Sequence, residues 1–569
     1  MSDLKPVSAD DPAFHLALGH TFARNWSALP PSARLGLLSR PRRLALIAEA
    51  RKEIMAPPNA LEAASHRIRV GRAIARSQRS VLPLLLSVPE LGWAYVRSRQ
   101  DARRVRRAMD IDIGLPNDPL LLPGASAACL RARREWLVHL PGRINALAAT
   151  NPRRPRSPLL YLSGMEDRPV PSGYGRRTAA IVNALRHAGI TTELNHLHFG
   201  SAAPPPGDIP LVIDLADTIE DGVSRAVDAL VRRAEVLGSQ TICSGSNWLA
   251  GLIGLSASRR LGLPFIYDVR GLWAMTRAVT QVGYANRLAY RAQLEAEAAL
   301  MRAADRTIFI SAALRNWAVA RGTDPTRCRV VPNMASQAFL DPFHIKMTAG
   351  QQSSDAPSPA VEALRATDGH WVIGHAGSLT AYEGLDTLID MVAIGYANGR
   401  AGDGLPLAGR PLTLWIAGDG PMAPQLRAKV AALPNPSAVR LLGPQPVSVV
   451  RELVARTDVM VFPRMAAPLF QLVPALKPVE AMAAGRAVLA SDLLPHKELA
   501  RGELAGEEGK ACLRLVSSTE AQDWRDALEA MLSDPDMQSG ALGRRARAAV
   551  ANSRAPETAI RPFVDLFQT

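Results

Sequence analysis

The segment DVMVFPRMAAPLFQLVPALKPVEAMAAGRAVLAS, residues 458–491, decides how this chain is read. An apolar run, Val459 to Phe462, stops at Pro463-Arg464; a loop follows, a helix opens near Pro478, and a second apolar run begins after Gly485. Strand, loop, helix, strand is half of a parallel α/β unit, with its loop at the strand's carboxyl end, where such sheets bind ligands. Pro478 suits a first helical position, which sets Glu480 in the first turn beside unpaired backbone N–H groups. Arg464 on the loop and Lys477 at the helix mouth add two cations. A diphosphate suits that pattern, with Glu480 accepting both hydroxyls of a ribose. The same features also describe a plain helix with an acid in its first turn and a solvated lysine beside it.

Working outward, WVIGHAGSLTAYEGLDTLIDMVA (371–393), LTLWIAGDGP (412–421) and VRLLGPQP (439–446) each join a short apolar run to a glycine turn. In this order the residues resemble the nucleotide-sugar half of the retaining glycosyltransferases of the large family-four group, whose GT-B architecture sets two Rossmann-like domains face to face. The shared features are a glycine loop before a GLDTLI helix, a GDGP turn, an aspartate-led strand ending in Pro-Arg, and LKPVEAMAAGRAVLASD. The resemblance implies an α/β fold of two facing Rossmann-like domains preceded by an α-helical extension. It implies a hexosyltransferase-type enzyme that moves a sugar from a nucleoside-diphosphate sugar to a glycan or lipid-linked acceptor, in bacterial surface polysaccharide synthesis, with no cofactor and no metal. It assigns donor binding to Gly377, Ser378, Gly418, Asp419, Gly420, Gln471, Lys477 and Glu480, and catalytic charge stabilisation to Arg464 and Lys477.

The chain departs from the family at functional positions. Ser378 and Glu383 stand where many members carry an Arg and a Lys, and Leu472, with Gln471 beside it, stands where many carry a sugar-binding Glu. The stretch Cys243-Ser244-Gly245-Ser246 lacks the His that members commonly hold there, leaving Ser244 and Ser246 as substitutes. Two readings follow: an enzyme whose cationic work falls on Arg464 and Lys477, and a catalytically degenerate relative acting as a nucleotide-binding or scaffold protein. His375 and His496, near the donor loops, read as diphosphate contacts or as structural residues.

Upstream, LLYLSG (159–164) reads as a strand, and Gly173, Tyr174, Gly175 and Arg176 form a glycine turn opening a helix. With Arg177 next in line, the turn suits a phosphate or acidic acceptor group, or is a plain strand-to-helix turn. LGLPFIYDVRGLW (261–273) resembles a family subgroup. Asp268 and Arg270 close its apolar strand and are further catalytic candidates: Asp268 toward the acceptor and Arg270 as a phosphate clamp, or the two as a structural ion pair.

Composition bounds the rest. The 569 residues, 47% hydrophobic and 21% charged, allow two or three globular domains. Four widely spaced cysteines without a CxxC point to a reducing compartment and no structural zinc. No apolar run approaches a membrane span and no signal-peptide pattern opens the chain, so a cytoplasmic location is expected. Residues 1–157 hold 26 Lys+Arg against 12 Asp+Glu, whereas the remaining 412 hold 41 against 40. Such a surface, on helical patterns such as HRIRVGRAIARSQRSVL (66–82), suits anionic lipid headgroups on the inner membrane face, or a protein partner; nucleic acid fits less well because no recognition motif accompanies the arginines. The expected units are a basic helical extension (1–157), an acceptor domain (158–342), an interdomain insertion (343–370), a donor domain (371–555) and a C-terminal helix returning to the first domain (556–569).

Overall fold

Two runs of apolar segments alternate with amphipathic helices, and each run condenses on its own parallel sheet. The computed structural model describes residues 110–113, 127–148, 151–164, 173–199, 205–212, 218–341, 369–395, 406–501 and 513–568. The expected membrane-facing helices before residue 110, and residues 343–368 of the expected 343–370 insertion, lie outside them.

The first half begins with helix α1 (Ala127–Ala146) and continues as β1 (Leu159–Ser163), α2 (Gly173–His187), β2 (Thr192–Phe199), β3 (Ile209–Leu211), α3 (Ile219–Val236) and β4 (Thr241–Gly245). It ends with α4 (Trp248–Leu261), β5 (Phe265–Val269), α5 (Trp273–Thr280), α6 (Leu288–Ala303), β6 (Arg306–Phe309), α7 (Ala312–Val319) and β7 (Cys328–Val330). All strand pairs are parallel, in the order β3-β2-β1-β4-β5-β6-β7. β1, β4 and β5 are buried along their whole length, which is why they read as unbroken apolar runs and not as alternation.

The second half holds β8 (Trp371–Ala376), α8 (Leu385–Ile394), β9 (Leu412–Ala417), α9 (Ala423–Ala431), β10 (Val439–Gly443), α10 (Val447–Arg456), β11 (Val459–Phe462), α11 (Lys477–Ala483) and β12 (Ala487–Ser491). It closes with α12 (Leu494–Arg501), β13 (Leu513–Val516), α13 (Ala521–Leu532) and α14 (Ala541–Arg554). Its strands, again all parallel, run β10-β9-β8-β11-β12-β13. The order reverses between β8 and β11, so the loops after these two strands flank the crevice where doubly wound sheets take ligands.

One boundary differs from the sequence reading. Helix α1, expected within a separate extension, buries Trp136, Leu137, Leu140 and Ile144 in the same core as Leu160, Ile253, Leu300 and Met301 of the first half. Residues 110–113 join it: the Asp110 carboxylate accepts from the Leu288 backbone N–H at 3.0 Å, and Asp112 pairs with Arg277. Basic composition had masked the apolar stripe of α1. The chain crosses between halves twice, outward after Val331 and back after Arg554. The last helix, α15 (Arg561–Gln568), then buries Phe563, Val564 and Leu566 against Tyr161, Ile181 and Leu185 of the first half.

Candidate functional site

The loop after β8 and the loop after β11 meet around one buried carboxylate. Glu383, the last residue of a 3₁₀ turn (Ala381–Glu383), is 3% exposed. Its Oε1 accepts from Arg464 Nη2 at 2.7 Å and lies 3.2 Å from Lys477 Nζ. Burial would raise the Glu383 carboxyl, but the charges of Arg464 and then Lys477 outweigh it and hold it at about 2. Arg464 is further fixed by the Phe470 ring, 4.8 Å below its guanidinium, and by Ser491, whose hydroxyl donates to the Arg464 carbonyl at 2.6 Å. Burial lowers the pKa of Lys477, against the opposing pull of Glu383. Its Nζ is within ion-pair reach of Glu383 yet has no properly directed hydrogen bond among the described residues.

The glycines explain how the loops come so close. A Cβ on Gly377 would lie 2.0 Å from Lys477 Cε, one on Gly418 1.8 Å from the Gly377 carbonyl oxygen, and one on Gly420 2.5 Å from that of Leu379. All three have positive φ, at 150°, 145° and 158°. The GDGP turn is thereby pressed onto the first glycine loop, where Leu379 N–H donates to the Asp419 carbonyl. Ser378 and Asp419 are exposed there, the Asp419 carboxylate accepting from Gly420 N–H at 2.8 Å. His375, at the end of β8, is fully buried with Nδ1 at 3.0 Å from the Val461 carbonyl; burial lowers it to about 4. His496 is likewise buried, 2.7 Å from the Ser491 carbonyl, and lowered by burial to about 4. Both rings are neutral near pH 7.

Glu480, one turn into α11, faces the first half. Its Oε1 accepts from Arg176 Nη1 at 3.1 Å, closing an ion pair across the cleft. Burial raises the Glu480 carboxyl against the opposing charge of Arg176. A cavity of about 820 Å³ lies beside this bridge, between α2, residues 333–337 and the C-terminal helices; Arg176 and Glu480 line it, and Arg464 and Lys477 do not. Gly173, Tyr174 and Gly175 form the first turn of α2, with the Tyr174 ring 5.7 Å from that of Trp273.

Three groups of sequence-predicted residues stand elsewhere. Asp268 and Arg270, expected to reach the cleft, are 1% and 2% exposed and bound to each other at 2.8 Å. Tyr161 donates to Asp268 at 2.6 Å, and Arg177 lies 3.6 Å from its other oxygen. Burial opposes the charge on Asp268, but Arg270 and Arg177 keep its pKa below the usual range. Arg270 donates to the Tyr174 carbonyl at 2.9 Å and the Thr178 hydroxyl at 2.6 Å, so the pair braces the glycine turn from beneath instead of meeting a ligand. Gln471, expected on the donor sugar, accepts from Leu494 N–H at 3.0 Å and so caps α12. Ser244 and Ser246 are buried, with their hydroxyls unpartnered among the described residues. The helix end given an anion-binding role belongs to a seven-residue helix, so the positive charge comes chiefly from Arg464 and Lys477. Glu383 was read in the sequence only as a departure, and no local signal pointed further, because its partners Arg464 and Lys477 lie more than 80 residues away along the chain.

Comparisons with known proteins bear on the family and the fold. The family profile for group 1 glycosyl transferases matches residues 370–534, and that for the glycosyl transferase 4-like domain matches residues 172–334. Among solved structures, sucrose-phosphate synthase from Thermosynechococcus elongatus superposes with a TM-score of 0.52 at 17% identity, covering 73% of this chain and 98% of that one. HepE of Anabaena in complex with UDP gives 0.48 at 16% identity, covering 72% and 98%. No curated protein matches the chain significantly. Among the described residues no helix is long and apolar enough to cross a membrane, and no cluster of His, Cys, Asp and Glu could hold a metal ion. The two profile matches together take in more than half of the chain, one on each sheet, and the chain belongs to the group 1 glycosyltransferases of GT-B fold.

Proposed function

We propose that this chain transfers a hexose from a nucleoside-diphosphate sugar to a glycan or lipid-linked acceptor, with retention at the anomeric carbon. The observation that carries the reading is the convergence of Arg464 and Lys477 on a single carboxylate oxygen at the carboxyl end of β11, beside the point where the strand order reverses. A diphosphate entering there meets two cations, and the lone N–H donors of Lys477 find acceptors. As the bond from the anomeric carbon to the diphosphate breaks, negative charge gathers on the leaving oxygen, which the two cations stabilise. The acceptor hydroxyl forms the new bond from the same face and passes its proton to the departing diphosphate. Glu480 grips the ribose, and Gly377, Ser378 and Gly418 to Gly420 line the donor loop. Arg464 and Lys477 supply the charge a divalent ion would otherwise bring, so turnover is expected to persist in chelator. The acceptor approaches past Gly173, Tyr174, Gly175 and Arg176. The basic excess before residue 158 holds the enzyme on the anionic inner face of a membrane, where surface polysaccharides are assembled.

Calorimetric titration with UDP, GDP and ADP tests the reading. One nucleotide is expected to bind in the micromolar range, with binding lost in Lys477→Ala and in Glu480→Ala while the far-ultraviolet dichroism stays unchanged; donor affinity unaltered in both variants contradicts it. A second reading, a scaffold without turnover, draws support from the commitment of Gln471 to a helix cap and of Glu480 to Arg176. Absence of binding by all three nucleotides favours it.

A further inference from the structure

We infer that Glu383 is a positioning residue for the donor site: seated between Arg464 and Lys477, it holds the buried ammonium in place and charged, ready for a diphosphate. The inference rests on the donor-site reading above and adds the residue that makes it workable.

Three observations carry it. First, the turn bearing Glu383 is locked to the loop bearing Arg464: Met465 N–H donates to the Tyr382 carbonyl at 3.0 Å, and a Cβ on Gly384 would lie 2.1 Å from the Pro463 carbonyl oxygen. The carboxylate cannot drift from the guanidinium without moving both loops. Second, the Lys477 side chain runs across the bare backbone of Gly377 to reach the same oxygen, so the ammonium has a track and an end stop. Third, the ammonium leaves its N–H donors without directed acceptors among the described residues, in a place where an unsatisfied buried charge is costly.

The charges around Lys477 show what Glu383 contributes. Arg464 faces it as a like charge, Glu480 on its own helix as an opposite one already shared with Arg176, and His375 from β8 as a neutral ring. Without Glu383, an ammonium stripped of water would sit beside a guanidinium with only a shared, more distant carboxylate for relief. It would lose its proton or swing away from the site. A bare structural ion pair would fix the loops equally well but would not tie ligand affinity to the protonation of Lys477. That difference is measurable.

The chain has seven lysines, few enough to follow individually by labelling Cε with carbon-13 and recording its shift against pH. Loss of one resonance in Lys477→Arg identifies Lys477. In Glu383→Gln the Lys477 midpoint is expected to fall by at least one pH unit. The affinity for the nucleoside diphosphate is expected to drop about five- to tenfold one pH unit above the variant's Lys477 midpoint and to recover toward the wild-type value one unit below it. Glu383→Asp, which keeps the charge but draws it back by one methylene, is expected to show a smaller fall and serves if the Gln variant does not fold. An unmoved midpoint in the variants, or tighter nucleotide binding at every pH, overturns the inference. A wild-type chain that binds no nucleotide defeats the donor-site reading instead, and the Lys477 midpoint still decides whether Glu383 keeps the ammonium charged.

Discussion

A methyl group on Gly377 would displace the Lys477 side chain. It would meet the Lys477 side chain at 2.0 Å, on a backbone with φ of 150°. Gly377→Ala is expected to cost about 1–3 kcal/mol of stability from backbone strain and to weaken nucleotide binding more than stability, because Lys477 must leave its track. Denaturant unfolding paired with calorimetry separates the two effects. A second residue, Glu297, makes a pH prediction. Buried in α6, it accepts from Trp273 N–H at 2.9 Å while its other oxygen has no partner among the described residues; burial raises it to about 8. Its folded pKa exceeds the unfolded 4.5, so the unfolded chain gives up the proton first as pH rises. Stability therefore falls between about pH 4.5 and 8, by at most about 1.4 kcal/mol per pH unit from this group. Glu297→Gln is expected to flatten that slope in melting curves. The positions of Arg464, Lys477 and Glu480 after β11 and in the first turn of α11 were legible because strand, loop and helix fix them relative to the sheet. For Asp268 and Arg270 the structure shows the ion pair, one of the two readings the sequence allowed, and the choice was not legible because the end of a strand does not say whether a side chain turns toward the cleft or beneath the next loop. The cap that Gln471 forms on α12 was not legible because its partner, Leu494, is 23 residues away in sequence.

Elements translate those residues into reach. The glycine turn opening α2 is not held by its own sequence: Arg270, the residue after β5, ties down the Tyr174 carbonyl and Thr178. Removing the counter-charge beneath it, as in Asp268→Asn, is expected to cost about 3–5 kcal/mol, since Arg270 and Arg177 would remain buried without it. A melting-temperature shift within error would show that the brace is dispensable. The cross-cleft pair behaves differently. Arg176 is 43% exposed on its side chain, so Arg176→Ala is expected to change stability by less than about 1 kcal/mol while raising nucleotide affinity, because Glu480 is freed for the ribose. Unchanged affinity in that variant would mean that the pair does not compete with the donor. The alternation of strands and helices was readable from apolar runs and glycine turns. The merger of α1 with the first core was not, because charged residues between its buried positions resemble a solvated helix.

At the scale of the molecule, the described residues of the two halves also touch away from the Arg176–Glu480 pair. The Glu498 carboxylate accepts from Ala312 and Ala313 N–H, at 3.1 and 2.7 Å, at the start of α7, and the Ser311 hydroxyl donates to the Leu472 carbonyl at 2.5 Å. Leu469 and Phe470 pack near Met275 and Val279. Leu472, which replaces the family's acid, is thus part of the seam between halves, a role its position in the motif gave no hint of. The chain threads this seam twice, and the two passes are stitched together where Ala335 N–H donates to the Arg554 carbonyl at 2.9 Å and Arg547 reaches the Leu340 carbonyl. A lid hung on one strap can twist and slide; hung on two straps fastened side by side, it can swing about the line between them and little else. The halves would then meet the same way at every closure, bringing the α2 turn back to Glu480 without a search.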